Sequence, residues 1–318
     1  MGTPDFAASA LSALLEAPAA EAGIVVPLVV SQPDKPRGRS RKLQAPPVKE
    51  RALEAGIEVL QPRRLRSGAA PERIAAVAPD VIVVVAYGRI LPPNILKIPR
   101  LGCLNVHASL LPELRGAAPI NWAIVRGHRQ SGVSIMQMDE GLDTGAVLAS
   151  REVPIGPDDE AGDLHDRLMN LGAELLVPTL LAHARGEITP APQDDARATW
   201  APIMTRESGL LDWTRSAAEL CDHARGMAPW PGSYSHWGDR TVKLFPPFEV
   251  TELTELPGAE SMQAGTICAV EPDALIVACG SGAVRLRSLQ LQGKRRLSVA
   301  DFLHGRKVTP GDRLGERA

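Results

Sequence analysis

No apolar run in this chain approaches the ~18 residues that a membrane-crossing helix needs. The first residues also lack a basic stretch leading into an apolar core, so nothing in them directs secretion. Cysteine is sparse: Cys103, Cys221, Cys268 and Cys279 stand far apart, with no CxxC or other metal-ligand spacing. Such thiols are expected to be reduced and buried, as in a cytoplasmic protein, with no metal implied. A formal net charge of −2 provides no global attraction to nucleic acid, so any such contact must come from local patches. Internal repeats and low-complexity segments are absent too. What is present is an ordinary globular composition, 44% hydrophobic and 23% charged, on a chain of 318 residues, long enough for two domains.

Two nearly continuous β-branched runs, 24–30 and 81–86, have the composition of strands buried on both faces, as in a parallel sheet covered by helices. Shorter runs of the same kind lie at 57–60, 103–106 and 133–138, and helical patterns at 6–15, 48–55, 71–77, 119–125 and 163–184. This alternation predicts a doubly wound, mostly parallel α/β sheet, Rossmann-like, over residues 1–185. Residues 186–204, with several prolines and acids and no sustained period, read as a surface linker. Residues 205–318 carry one amphipathic helix near 216–226, then apolar stretches at 242–245, 265–269, 275–279 and 283–289. Short strands separated by Gly, Pro and Asp predict a small β-barrel.

The most pointed local pattern is GCLNVHASLLPELRGAAPI, residues 102–120. Asn105 and His107 stand at i and i+2 on a short apolar strand, so both aim to one face. That face opens on the crevice beyond the strand's carboxyl end, where open α/β sheets keep their ligands. The Asn105 amide can donate to an oxygen that becomes negative during a reaction. A histidine ring is suited to moving a proton at neutral pH. A third member is needed, and MQMDEGLDTG, after another strand, offers Asp139, Glu140 and Asp143. Spacing does not choose among the three. Taken singly, an Asn-x-His pair is usually a polar strand end, and DEGLDTG a turn.

Taken together, NVHASLLPELRGAAPI, MQMDEGLDTG and VVVAYGRILP resemble the N10-formyltetrahydrofolate-dependent formyltransferases. GTPDFA at the start, SQPDKPRGRSRKLQAPPVK, and PWPGSYS in the second half narrow the resemblance to the branch that formylates methionyl-tRNA. The resemblance runs over essentially the whole chain, with the elements in the same order. It implies a catalytic trio of Asn105, His107 and Asp143. It further implies a folate-binding segment at Ser109, Leu110, Leu111 and Pro112, with a pterin pocket lined by backbone at Tyr87, Gly88, Ile90 and Leu91. The implied co-substrate is 10-formyltetrahydrofolate and the implied partner initiator methionyl-tRNA, in a cytoplasmic, monomeric enzyme that needs no membrane and no metal. For the second domain it implies an OB-like barrel that binds tRNA.

Residues 35–42, KPRGRSRK, hold five cations in eight positions: Lys35, Arg37, Arg39, Arg41 and Lys42. The plain account is a solvated basic loop kept irregular by Pro36 and Gly38. The family's use of an insertion loop here to wedge into the acceptor stem favours contact with tRNA phosphates. The second domain is balanced overall, but Arg285, Arg287, Lys294, Arg295, Arg296, Arg306 and Lys307 face only Asp301 in their stretch. Such an edge would grip an RNA helix through its backbone, Lys294, Arg295 and Arg296 foremost, with the acidic run 249–260 facing away. Trp230, between two prolines, reads as a buried pin between helix and barrel rather than a base-stacking platform. The histidines at 128, 165, 183, 223, 236 and 304 read as surface or structural groups.

In one respect the sequence departs from the family, which has a hydrophobic strand immediately before GTPDF. Here Met1 alone precedes that motif. The expectation is a chain truncated at its start that lacks the first, central strand and leaves the edges of two apolar strands unpaired. Two rival readings remain: another formyl-folate enzyme, acting on a sugar nucleotide or hydrolysing formyl-folate, and an inactive RNA-binding relative. The basic loop and the second domain argue against the first rival, and the intact trio against the second.

Overall fold

Proline and acidic residues set the first helix starts. Asp5–Leu15 begins after Pro4, with Asp5 in its first turn, and buries Phe6, Ala7, Ala10, Leu11 and Leu14, a stripe at helical spacing. Pro47–Glu54 starts on a proline, buries Val48 and Ala52, and packs on the first helix, with Arg51 Nε donating to Ser12 Oγ at 2.9 Å. The computed structural model describes residues 1–37, 42–251 and 262–315. The chain divides into two units, the first comprising Met1–Pro119, Ser131–Val153 and His165–Pro202, the second Ile120–Gln130, Pro154–Leu164 and Ile203–Ala318.

In the first unit, Cys103–His107 is flanked by Ile82–Val84, parallel to it, and by Gln130–Gln137, antiparallel, with Val147–Pro154 beyond. The sheet is therefore mixed, not mostly parallel as its composition predicts. Gln130–Gln137 is buried almost throughout, and a strand covered on both faces has the same apolar composition whichever way it runs. Leu28–Val30 pairs in parallel with Glu58–Leu60 as a separate two-stranded piece. Between the two pieces lies an apolar groove lined by Leu11, Leu14, Val29, Val30, Ile82 and Val83. Met1 and Gly2 bridge it: Gly2 N donates to Val30 O and Val85 N to Met1 O, each at 2.9 Å, while the Met1 amine donates to Val83 O at 2.6 Å.

The second unit contains two four-stranded antiparallel sheets. One sheet orders Ser233–Trp237, Arg240–Leu244, Ser288–Leu291 and Leu297–Ser298; the other orders Phe248–Thr251, Ala283–Leu286, Leu275–Ala278 and Ile267–Val270. Among the described residues the ladders do not join into a closed barrel. The helix Ala217–Met227 begins with a capping box, Ser216 and Glu219 bonding reciprocally, and buries Leu220 and Ala224 in the core with Val242, Leu244, Val277 and Leu286. All four cysteines are free, and burial pushes the thiols of Cys103 and Cys221 up to about 11 and that of Cys279 up to about 12. Among the described residues no helix is long and apolar enough to cross a membrane.

His223, on the buried face of the Ala217–Met227 helix, is 9% exposed, and its Nε2 finds no partner among the described residues. Burial first, and the charge of Arg215 second, lower its pKa from 6.5 to about 4. Below pH 6.5 the unfolded chain takes up a proton that the native ring refuses, so this contribution is full above pH 6.5 and lost as pH falls toward 4. By pH 5 the loss amounts to about 2 kcal/mol. Urea unfolding at pH 7 and pH 5 is expected to show that loss, and His223→Leu to reduce it. An identical pH dependence in both proteins would remove His223 from the account.

Candidate functional site

Strand geometry brings the first two candidates together. On Cys103–His107 the side chains of Asn105 and His107 share a face, with Asn105 half-buried and His107 6% exposed. Asp143 reaches the same point from the loop after Gln130–Gln137. Its Oδ1 accepts from Asn105 Nδ2 at 3.4 Å, and its Oδ2 lies 3.8 Å from His107 Nδ1. The Gly116 amide donates to the same Oδ2 at 2.9 Å. Asp139 is spent otherwise, its carboxylate accepting from Gly141 N and Thr144 Oγ1 to close the turn. Of the three acids left open by spacing, Asp143 is thus the one the structure joins to Asn105 and His107.

The ring of His107 is held in one protonation pattern. Its Nε2 lies 3.1 Å from the Leu114 carbonyl oxygen, which can only accept, so Nε2 carries a hydrogen and Nδ1 faces Asp143. Leu114 points its carbonyl there from a left-handed backbone, φ 58°, and Asp143 is left-handed as well, φ 55°. Two glycines let these loops close. A Cβ on Gly145 would overlap the Gln137 carbonyl oxygen, and Gly116, at φ 118°, lies against the Ala201 backbone.

Sequence reasoning missed what holds these loops. The segment read as a linker forms a strap in the first unit: Ala191 exchanges two hydrogen bonds with Val147, and Trp200–Ala201 pairs with Arg115–Gly116. Thr199 Oγ1 accepts from Leu114 N at 2.8 Å. Between these anchors Gln193 Nε2 donates to the carbonyls of Asp143 and Gly145, at 2.9 and 2.7 Å. Its Oε1 accepts from Arg115 Nε and Nη2, and Asp195 also accepts from Nη2. Arg115 is only 3% exposed. A buried arginine three positions after a proline, with a distant Gln and Asp, has no local pattern by which to be found.

The residues expected to hold folate divide in two. Ser109 is fully buried and its hydroxyl donates to Glu113 O at 2.6 Å, so it supports the turn, while Leu110, Leu111 and Pro112 are partly exposed. Tyr87 and Leu91 are core residues, whereas Ile90 is 78% exposed. Gln32 Nε2 ties down the carbonyls of Tyr87 and Gly88, at 2.9 and 3.2 Å. That loop therefore presents backbone and Ile90, not the tyrosine ring. Among the described residues no group of three His, Cys, Asp or Glu side chains is placed to hold a metal ion.

The basic segment is no irregular loop where it is described: Lys35–Arg37 and Lys42–Gln44 pair as antiparallel strands, with Lys35 and Lys42 exposed. Arg39 and Arg41 lie outside the described residues, and for Arg37 only the backbone is described. In the second unit Lys294, Arg295 and Arg296 are all exposed. Arg296 lies over the Phe245 ring at 4.1 Å and donates to Ser288 Oγ at 2.8 Å. Arg306 and Lys307 are exposed too, but two other cations of the expected edge are corrected. Arg285 and Arg287 are paired with Glu249, Glu271 and Asp273, and Glu249 stands opposite Arg285 in the ladder rather than facing away. Trp230 is 57% exposed, so it is not a buried pin.

Comparison with known proteins agrees on one family. Residues 1–180 match the formyl transferase family and 203–307 its C-terminal domain. A relative from Geobacter metallireducens, a methionyl-tRNA formyltransferase, is 48% identical over 99% of this chain and 97% of its own. One from Myxococcus xanthus, of the same name, is 47% identical over 98% and 95%. Among solved structures, an N-formyltransferase from Helicobacter canadensis, in complex with folinic acid and dTDP-3-aminofucose, shares the fold at TM-score 0.66. It is 15% identical and covers 93% of this chain and 97% of its own. HypX from Aquifex aeolicus in complex with tetrahydrofolic acid gives TM-score 0.56 at 23% identity over 89% of this chain, which spans half the length of HypX. By both of its matched regions and by these relatives, the chain belongs to the formyl transferase family.

Proposed function

We propose that this chain transfers the formyl group of 10-formyltetrahydrofolate to the α-amino group of initiator methionyl-tRNA. The carrying observation is the convergence of Asn105, His107 and Asp143 at one strand end, in a chain whose close relatives bear the name of that activity. The co-substrate supplies the formyl carbon, and the donor set fits its chemistry: an amide for a developing oxyanion, and a histidine–carboxylate pair for a proton. We place the pterin against exposed Ile90 and the backbone of 87–91, and against the partly exposed Leu110, Leu111 and Pro112. We read residues 1–185 as the catalytic domain and 205–318 as an OB-like tRNA-binding domain. Charged tRNA being a cytoplasmic substrate, the reading also places the enzyme there, working as a monomer.

Asn105 donates to the carbonyl oxygen as the amine adds and that oxygen turns negative. With Nε2–H committed to the Leu114 carbonyl, His107 exchanges its proton at Nδ1. That nitrogen takes the proton of the attacking amine and passes it to the departing N10. Asp143, 3.8 Å away and fixed by the Gly116 amide, stabilises the imidazolium without sharing its proton directly. Asn105→Ala, His107→Ala and Asp143→Ala are each expected to cut turnover about a hundredfold or more in a formyl-transfer assay on charged initiator tRNA. Near-normal turnover of Asp143→Ala would take the carboxylate out of the mechanism.

The tRNA side rests on charge that is presented rather than neutralised. Lys35 and Lys42 lie on the two paired strands, and Lys294, Arg295 and Arg296 form an exposed triplet with Arg296 held by its ring contact. Such groups neutralise phosphates and make binding salt-dependent. Neutralising the triplet is expected to weaken tRNA binding and to reduce the slope of log K against log salt by about 2. An unchanged slope would mean the triplet only solubilises the surface. The fold is shared with sugar N-formyltransferases, so formylation of an amino-sugar nucleotide in preference to charged tRNA would overturn the choice of acceptor.

A further inference from the structure

We infer that Gln193, acting with Arg115, is the positioning residue for the Asp143 carboxylate; this rests on the reading above that Asp143 takes part in the reaction. Asp143 sits in a left-handed conformation that an L-residue other than glycine adopts at a cost, so something must hold it there. The turn closed by Asp139, through Gly141 N and Thr144 Oγ1, encloses Asp143 from its own side of the loop. Beyond it, the two carbonyls that flank Thr144, those of Asp143 and Gly145, both accept from the single Nε2 of Gln193. The other end of the same amide accepts twice from Arg115. Both hydrogens and both lone pairs of the amide are therefore in use.

These bonds close a ring. Gln193 grips the backbone of Asp143 on one side and the side chain of Arg115 on the other. The residue after Arg115 is Gly116, whose amide holds Asp143 Oδ2, and the residue before it is Leu114, whose carbonyl holds His107 Nε2–H. The backbone of Arg115, whose side chain is buried, thus lies between the two peptide groups that orient the carboxylate and the imidazole. The strap carrying Gln193 is anchored on both sides, at Ala191 to Val147 and at Trp200–Ala201 to Arg115–Gly116. Within the trio, the hydrogen bonds of Gln193 go directly to the Asp143 backbone, and it reaches His107 only indirectly, through Arg115 and its neighbour Leu114.

The saturation of the amide makes the proposal specific. Gln193→Glu keeps the shape and the Arg115 contact but turns two donors into acceptors facing two carbonyl oxygens. A side chain that served only to pair with Arg115 would tolerate that change; one that positions Asp143 would not. The experiment measures kcat and both KM values for Gln193→Ala and Gln193→Glu, alone and combined with Asp143→Asn. Gln193→Met, of similar length and without the four hydrogen bonds, replaces the alanine variant should that one fail to fold. We expect kcat to fall about tenfold or more in Gln193→Ala, with both KM values within about twofold. Gln193→Glu should be at least as impaired. In the Asp143→Asn background the Gln193 substitutions should add little, because the carboxylate they position is gone. Wild-type kcat in the Gln193 variants, a fall confined to KM, or losses that multiply fully with an impaired Asp143→Asn would each overturn the proposal. Normal turnover of Asp143→Asn by itself would instead overturn the role of the carboxylate, and the positioning role with it.

Discussion

The hydrogen bond from His107 Nε2 to the Leu114 carbonyl is the constraint on which the site depends. It decides which nitrogen of the ring is available, and it does so from seven residues away along the chain. A carbonyl can point back at the strand it has just left only if the intervening turn reverses sharply. Leu114 accomplishes this with a positive φ, which costs a leucine about 1–2 kcal/mol. That strain is offset locally by the Ser109–Glu113 bond, by burial of the Leu114 side chain, and by the Thr199 hydroxyl on the Leu114 amide. Once the turn is made, the next amides face the opposite way, and Gly116 N arrives at Asp143. His107 and Asp143 are therefore oriented by neighbouring peptide groups of one turn.

A turn of this kind needs an outer wall, and the wall comes from a part of the chain that resembles a tether. The strap from Ala191 to Ala201 contributes one two-residue ladder, one bridge and one saturated amide. None of these creates hydrophobic periodicity, because the strap buries little apolar surface. Its stabilisation is carried by backbone and amide hydrogen bonds, each worth only about 1 kcal/mol net. Such a segment holds geometry well while contributing little to global stability, and geometry is what the acid–base role proposed for His107 and Asp143, 3.8 Å apart, requires.

What could be read in advance follows from the same distinction. The strand bearing Asn105 and His107 is visible because alternation and apolar composition are local properties, and so are the helices Asp5–Leu15 and Ala161–Ala184. Asp143 is invisible to spacing; only resemblance singles it out, since its relation to His107 spans 36 positions of folded chain. The direction of Gln130–Gln137 is hidden because burial on both faces erases the alternation that marks an antiparallel strand. In the second unit Ser233–Trp237 and Phe248–Thr251 escape because polar residues at buried positions, Ser233, Ser235 and Thr251, break up short apolar runs. Residues 283–289 read as one strand but are parts of two, Ala283–Leu286 and Ser288–Leu291, divided at Arg287, whose change of sheet costs no apolar residue.

Charge is the property that counting predicts least well, because a cation opposite an acid in a ladder is not the same object as a cation in water. Arg285 and Arg287 contribute as much to formal charge as Lys294 and Arg295. Held against Glu249, Glu271 and Asp273, however, they present little field beyond the sheet. Ion pairing thus separates Arg285 and Arg287, neutralised, from the exposed triplet Lys294, Arg295 and Arg296 and from the exposed Arg306 and Lys307. The same pairing fixes Glu249 in place, and the hydrogen bonds from Arg287 hold its carboxyl below the usual carboxylate range. An interface for a polyanion is defined by which cations lack such partners. In this unit the register of Phe248–Thr251 against Ala283–Leu286 sets Arg285 opposite Glu249, and Arg287 just beyond it reaches the same carboxylate, whereas Arg296 is exposed and stacked on Phe245.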